Sequence, residues 1–219
     1  MKLVQSLAFI FFLYSILISG GYAQAREDSF PLDIGSGFAL GLHAGYQPVH
    51  ANLYPAAGDQ VATTPDVYFA GLNFRYKYKF LFVRGGAEGG IAYPSATGKT
   101  TTGGNVTMSV TSVHAPVSVG LNLPLRNRSS LYMGFGYSHF IGIYNIKNDL
   151  ADSTFPVSTG GTHILLGTEI KLTEKGHITL EWMQTFGLSA PVGNGTLKTR
   201  QFDLTGSRFM MGYAYYFVL

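Results

Sequence analysis

From Phe38 onward the chain repeats one pattern eight times: apolar residues at every second position, with small or polar residues between them. Phe38, Leu40, Leu42, Ala44 and Tyr46 share one face, and Ala39, Gly41, His43 and Gly45 share the other. Next, Tyr68, Ala70, Leu72, Phe74, Tyr76 and Tyr78 oppose Phe69, Gly71, Asn73, Arg75 and Lys77. The pattern recurs over residues 81–93, 113–123, 131–138, 163–172, 178–183 and 208–219. A period of two is the signature of a β-strand, whose successive side chains point to opposite faces. Eight strands are therefore predicted. Upstream of Val113, the apolar residues Val106, Met108 and Val110 fall in the other phase, which predicts a β-bulge near Thr111 and Ser112.

The connections alternate in length. Short links fall near residues 77–80, 125–130 and 173–176, and long ones at about 47–66, 94–105, 145–161 and 188–205. Eight antiparallel strands of about ten residues, with short turns on one side and long loops on the other, match a small transmembrane β-barrel. The partition of side chains supports that reading over a soluble barrel, which turns its large apolar face inward. Here the face with Arg75, Arg84, Glu88, Glu169, Glu181 and Arg208 is rich in glycine and suits a narrow interior. The opposite face is almost unbroken Leu, Ile, Val, Phe, Tyr and Met, an aggregation hazard in water and the required surface in lipid. Tyr46, Tyr76, Tyr78, Tyr93, Tyr137, Trp182, Tyr213 and Phe217 are placed as interfacial aromatic girdles.

Composition sharpens this picture. Only 12% of the 219 residues are charged, against 46% hydrophobic and 14% aromatic, and there are 28 glycines. So little charge implies that much of the surface does not face water. The absence of cysteine excludes a disulfide scaffold, a thiolate metal site and a cysteine nucleophile. A net charge of +3 without a basic run gives no footprint for nucleic acid. At the N-terminus, Lys2, an apolar run over residues 3–18 and Ala23-Gln24-Ala25 read as a cleaved secretory signal peptide over residues 1–25. The barrel domain is then residues 26–219, and no later segment has the apolar length of a transmembrane helix.

The leader, the eight alternating segments, the strands "APVSVGLNLPL" and "LYMGFGYS" and the terminal "FMMGYAYYFVL" together resemble the small eight-stranded outer-membrane barrels of Gram-negative bacteria, the outer membrane protein A, X and W class. That resemblance implies an all-β, up-and-down barrel inserted in the outer membrane and folded by the barrel assembly machinery. In that class the last strand carries alternating aromatics up to a final Phe, a pattern matched by Tyr213, Tyr215 and Phe217, with Leu219 in the terminal place. It also implies that small hydrophobic compounds are candidates for passage, as suggested for the W type.

The candidate chemistry is electrostatic. Arg75, Arg84, Glu88, Glu169, Lys171, Glu181 and Arg208 are predicted to project into one narrow lumen, where desolvated charges must be paired. The expected role is an ion-pair network that fills the interior and fixes register; the sharper alternative is a polar path for small solutes. Catalysis is not expected. Ser138 and His139 are adjacent and so point to opposite faces, which separates them as nucleophile and base. Thr97-Gly98-Lys99-Thr100 ends like a phosphate loop, but Tyr93 stands where its first glycine belongs. The six histidines have no metal-ligand spacing, so neither metal nor cofactor is expected. Three glycosylation sequons, at Asn105, Asn127 and Asn194, are read as chance in a bacterial envelope protein. The reading is a non-enzymatic outer-membrane protein, surrounded by lipid, with a structural or small-solute passage role. An adhesin or receptor acting through the long loops is the alternative, and a lipid-modifying enzyme a more distant one.

Overall fold

The structure, a computed structural model, describes residues 37–47, 66–93, 96–99, 105–126, 129–148, 152–187, 189–192, 200–203 and 205–217. The leader, Leu219 and residues 48–65 of the first long loop lie outside these. The strands are β1 (Gly37–Gln47), β2 (Asp66–Tyr78), β3 (Leu81–Tyr93), β4 (Ala96–Lys99), β5 (Asn105–Arg126), β6 (Ser129–Asn148), β7 (Asp152–Lys171), β8 (Gly176–Phe186), β9 (Ser189–Val192), β10 (Arg200–Asp203) and β11 (Gly206–Phe217). Eight of them close an antiparallel barrel in the order β1-β2-β3-β5-β6-β7-β8-β11, with β11 returning to β1. β4 is a short addition to β5, and β9 and β10 form a separate hairpin.

The register explains how the interior is filled. Stepping across pairs from Gly37 leads to Lys77, Phe82, Gly120, Gly134, Leu165, Met183 and Arg208. Arg208 follows the Tyr46–Phe209 pair and so stands opposite Gln47, ten residues beyond the starting point. A stagger of ten over eight strands tilts them by about 40°. Side chains far apart in sequence thus climb a spiral inside the wall.

The inside-out partition holds along every barrel strand. Leu42 is 64% exposed and Leu72 63%, whereas Arg84 is 0% and Glu88 1% exposed. Glycine on the inner face makes the bulky interior residues fit. A Cβ at Gly167 would lie 2.2 Å from the Tyr132 ring, and one at Gly136 would lie 2.7 Å from His163 Nε2. These two large side chains lie flat against the bare backbone of neighbouring strands.

Two expectations need correction. β5 pairs with β6 without interruption from Val106 to Pro124, so no bulge lies at Thr111 and Ser112; the register shifts instead between Pro124 and Arg126, beside a short turn. Val110 is buried because it faces inward, so the change of apolar phase marks an apolar residue on the lumen side and not an extra backbone residue. Most of the loop expected at 145–161 is strand as well, since β6 runs to Asn148 and β7 begins at Asp152. Hydrophobic alternation fades in this hairpin, where Asn145, Lys147, Thr154 and Ser158 are exposed, while the hydrogen-bond ladder continues.

Candidate functional site

The barrel interior holds two ion-paired clusters with an apolar cluster packed beside them. Nearest the short turns, Glu169 on β7 and Glu181 on β8 gather the cations. Arg75 donates from Nη1 to Glu169 Oε2 and from Nη2 to Glu181 Oε1, each at 2.7 Å. Arg84 Nε donates to Glu181 Oε1 at 3.1 Å, and its Nη2 lies 2.8 Å from Oε2. Tyr132 donates to Glu181 at 2.7 Å. On the other carboxylate, Lys77 Nζ at 2.7 Å and the Tyr216 hydroxyl at 3.0 Å donate to Glu169 Oε2, while His177 Nδ1 bonds Oε1. The Arg75 guanidinium also covers the Tyr132 ring at 4.2 Å.

An apolar cluster of Phe82, Leu165, Met183, Met210, Tyr132 and Phe69 packs beside these charges, running along the lumen from the level of Lys77, the partner of Phe82, to that of Gly90, the partner of Phe69. His163 is held beside it between two serines, with Ser118 Oγ 2.7 Å from Nε2 and Ser138 Oγ 2.7 Å from Nδ1.

The second ion-paired cluster, toward the long-loop end, is centred on Glu88 of β3. Its Oε1 meets His43 Nε2 at 2.9 Å; its Oε2 meets His114 Nδ1 at 2.9 Å and Arg208 Nη2 at 2.5 Å. Asn73 Nδ2 donates to His43 Nδ1 at 2.8 Å, which assigns the His43 proton to Nε2, where it is donated to Glu88. Arg208 packs over the Phe69 ring at 3.9 Å. Between Gln47, Phe69, Glu88, His114, Phe140 and Arg208 a small cavity of about 10 Å³ has room for one water molecule.

Six of the seven charged residues singled out in the sequence thus lie in two clusters, Arg75, Arg84, Glu169 and Glu181 in one and Glu88 and Arg208 in the other. Lys171 stands apart: it is half-buried and enters none of these bonds, and Lys77 supplies the cation on Glu169. Lys77, Asn73, Tyr132, Tyr216 and the histidines 43, 114 and 177 complete the clusters and were not singled out. Their common signal is that all sit on the inward phase of their strands. Of the aromatic residues on the last strand, Tyr213, Tyr215 and Phe217 are exposed on the outer wall.

Ser138 and His139 face opposite sides of the wall, as their adjacency predicts. Ser138 turns inward to His163 and is 0% exposed, sealed from any substrate. His139 on the outer wall lies 3.3 Å from Ser158 Oγ, but that hydrogen bond joins no carboxylate. Among the described residues, no group of three or more His, Asp or Glu has the geometry to hold a metal ion.

An inward charged spiral, an outward apolar wall and short turns at one end together describe an outer-membrane barrel. Over residues 11–209 the sequence matches the family model of the outer membrane protein beta-barrel domain. The chain belongs to this family. Among solved structures it is similar to the outer membrane protein OprG from Pseudomonas aeruginosa, with a TM-score of 0.61 at 15% identity, covering 84% of this chain and 97% of that one. Neisserial surface protein A follows at a TM-score of 0.51 and 12% identity, over 83% of this chain and 96% of that one. The attachment invasion locus protein Ail of Yersinia pestis, solved with the heparin analogue sucrose octasulfate, gives 0.50 and 12% over 84% and 99%. No curated protein matches the sequence significantly. At these identities the structures share the fold, and with the family they assign this protein to the outer membrane. The short-turn end is therefore periplasmic and the long-loop end extracellular.

Proposed function

We propose that this protein is a closed-lumen barrel serving the envelope as a structural and surface-presenting element, not as a through channel. The observation that carries the proposal is the filled interior. Arg75, Arg84, Tyr132, Leu165, Met183, His163, Glu88 and Glu169 are all fully buried, and an apolar cluster packs beside the two ion-paired clusters. Passage of a solute would require both carboxylate clusters to give up partners at several short contacts, which is costly in a desolvated site. In this reading residues 1–25 direct export, and Tyr213, Tyr215, Phe217 and Leu219 engage the assembly machinery during insertion. The protein has lipid as its permanent neighbour and no enzymatic role.

A second reading, contact with other surfaces through the extracellular side, is favoured by the continuous β5-β6-β7 sheet. It runs on past Ile143 to Asn148 and so projects a rigid platform into water. Loops on a rigid scaffold are where recognition is commonly carried.

Planar-bilayer recording tests the main proposal. The folded protein is expected to give no stable conductance steps at neutral pH. A regular ohmic step, abolished by boiling the sample, would show an open lumen and overturn it.

A further inference from the structure

The lipid-facing belt is uneven in height. On β3 and β5 the apolar outward row extends between Leu81 and Tyr93 and between Val113 and Leu125, and on β6 between Leu131 and Ile143 with His139 as its one polar member, twelve residues in each case. On β7 the run extends between Ile164 and Leu172 with Thr168 as its one polar member, and on β11 between Phe209 and Phe217, only eight residues each, and the described outward row of β1 spans Phe38 to Tyr46. On β8, Gln184 interrupts the outward row after Trp182 and bonds Ser207 of β11 at 2.8 Å. At about 3.3 Å per residue and a tilt near 40°, these runs are about 30 Å and about 20 Å tall.

The tall strands are neighbours in the wall, and so are the short ones, with β2 and its ten-residue run from Tyr68 to Tyr78 between them. The runs all begin close to the periplasmic turns, so the excess lies on the extracellular side. There Ile91, Tyr93, Val113, Ile141 and Ile143 are exposed, and each continues a row of side chains that already faces hydrocarbon. On β7 the corresponding outward positions are Thr162, Gly160 and Ser158, paired in register with Tyr137, His139 and Ile141.

We propose that the barrel carries a wedge-shaped hydrophobic belt: outer-leaflet hydrocarbon climbs the β3-β5-β6 face and is drawn thin beside β7, β8, β11 and β1. A belt mismatched to the bilayer is accommodated by tilt or by local thinning. With level periplasmic ends, the distortion falls on the extracellular leaflet. The partner this surface fits is acyl chain, because the extra area is continuous with the outward apolar wall and, His139 apart, is built from Ile, Val and Tyr.

Because the chain has no cysteine, single-cysteine reporters test this in the full-length protein. A polarity-sensitive fluorophore is attached at Ile141→Cys, Ile143→Cys, Thr162→Cys or Ser207→Cys, each in phosphatidylcholine vesicles containing lipids with a nitroxide on the acyl chain. Ile141 lies four residues further out than Tyr137, the partner of Thr162, about 7 Å higher after allowing for the stagger. A level belt therefore makes position 141 the wetter of the two. The wedge reverses that order: the reporters at 141 and 143 are expected to be quenched by the acyl nitroxide at least threefold more than those at 162 and 207, which respond to a water-soluble quencher. Equal quenching on both faces, or stronger quenching at 162 and 207, would overturn the proposal. Each variant is first checked for folding by heat-dependent gel mobility, with Val113→Cys and Gln184→Cys as replacements on the tall and short faces.

Discussion

Replacing Glu181 by leucine is expected to destabilise the barrel by about 3–5 kcal/mol, the range seen when one partner of a buried ion pair is removed. Glu181 accepts hydrogen bonds from Arg75, Arg84 and Tyr132. Without it Arg84 loses its carboxylate altogether, and Arg75 keeps only Glu169. The leucine leaves uncompensated positive charge in a space walled by Phe82, Leu165 and Met210. Denaturant unfolding in lipid vesicles, read by the loss of the folded gel band, measures the effect. Lys171→Ala serves as the contrast, since Lys171 enters no bond of either cluster, and a change within about 0.5 kcal/mol is expected. A loss below 1 kcal/mol for Glu181→Leu would mean that water reaches the cluster and that the lumen is not closed.

Leu72→Arg is expected to cost about 2–4 kcal/mol, the penalty for a cation near the bilayer midplane on the lipid face of a barrel. Leu72 lies midway between Tyr68 and Tyr78 on β2 and pairs with Leu42 and Ala87, so the arginine has a long reach to either interface. The size of the effect depends on the solvent around this face. A 63% exposed leucine on a protein in water accepts arginine with almost no change in stability. The same unfolding assay thus distinguishes a lipid-facing wall from a water-facing one. A neutral outcome would contradict the assignment of this face to hydrocarbon.

Much of the architecture was legible in the sequence because lipid on one side and a narrow polar core on the other enforce strict alternation. Phe38 to Tyr46, Tyr68 to Tyr78 and Leu81 to Tyr93 alternate for that reason, and they are the strands where expectation and structure agree most closely. Legibility failed where the constraint lapses. Beyond the belt, β6 and β7 continue as a hairpin that no apolar rhythm marks. At Val110 an inward apolar residue imitates a bulge. The inward position of the charges followed from phase, but their partners did not. Arg75 meets Glu169 and Glu181, 94 and 106 residues away, through a ten-residue stagger fixed by the register of all eight strands. That stagger also decides that Lys77 and not Lys171 reaches Glu169. The histidines were harder still, since an inward imidazole on Glu88 differs from one on the wall only in its phase.

The central claim is that this chain folds inside-out, as a closed barrel in the outer membrane. Its most direct test is to recover the protein from isolated outer membranes and compare its gel mobility in detergent before and after boiling, together with its circular dichroism. A boiled sample that shifts in mobility, with a β-rich spectrum before heating, is the result this account predicts. Recovery in the soluble periplasmic fraction with no heat-dependent shift would contradict it.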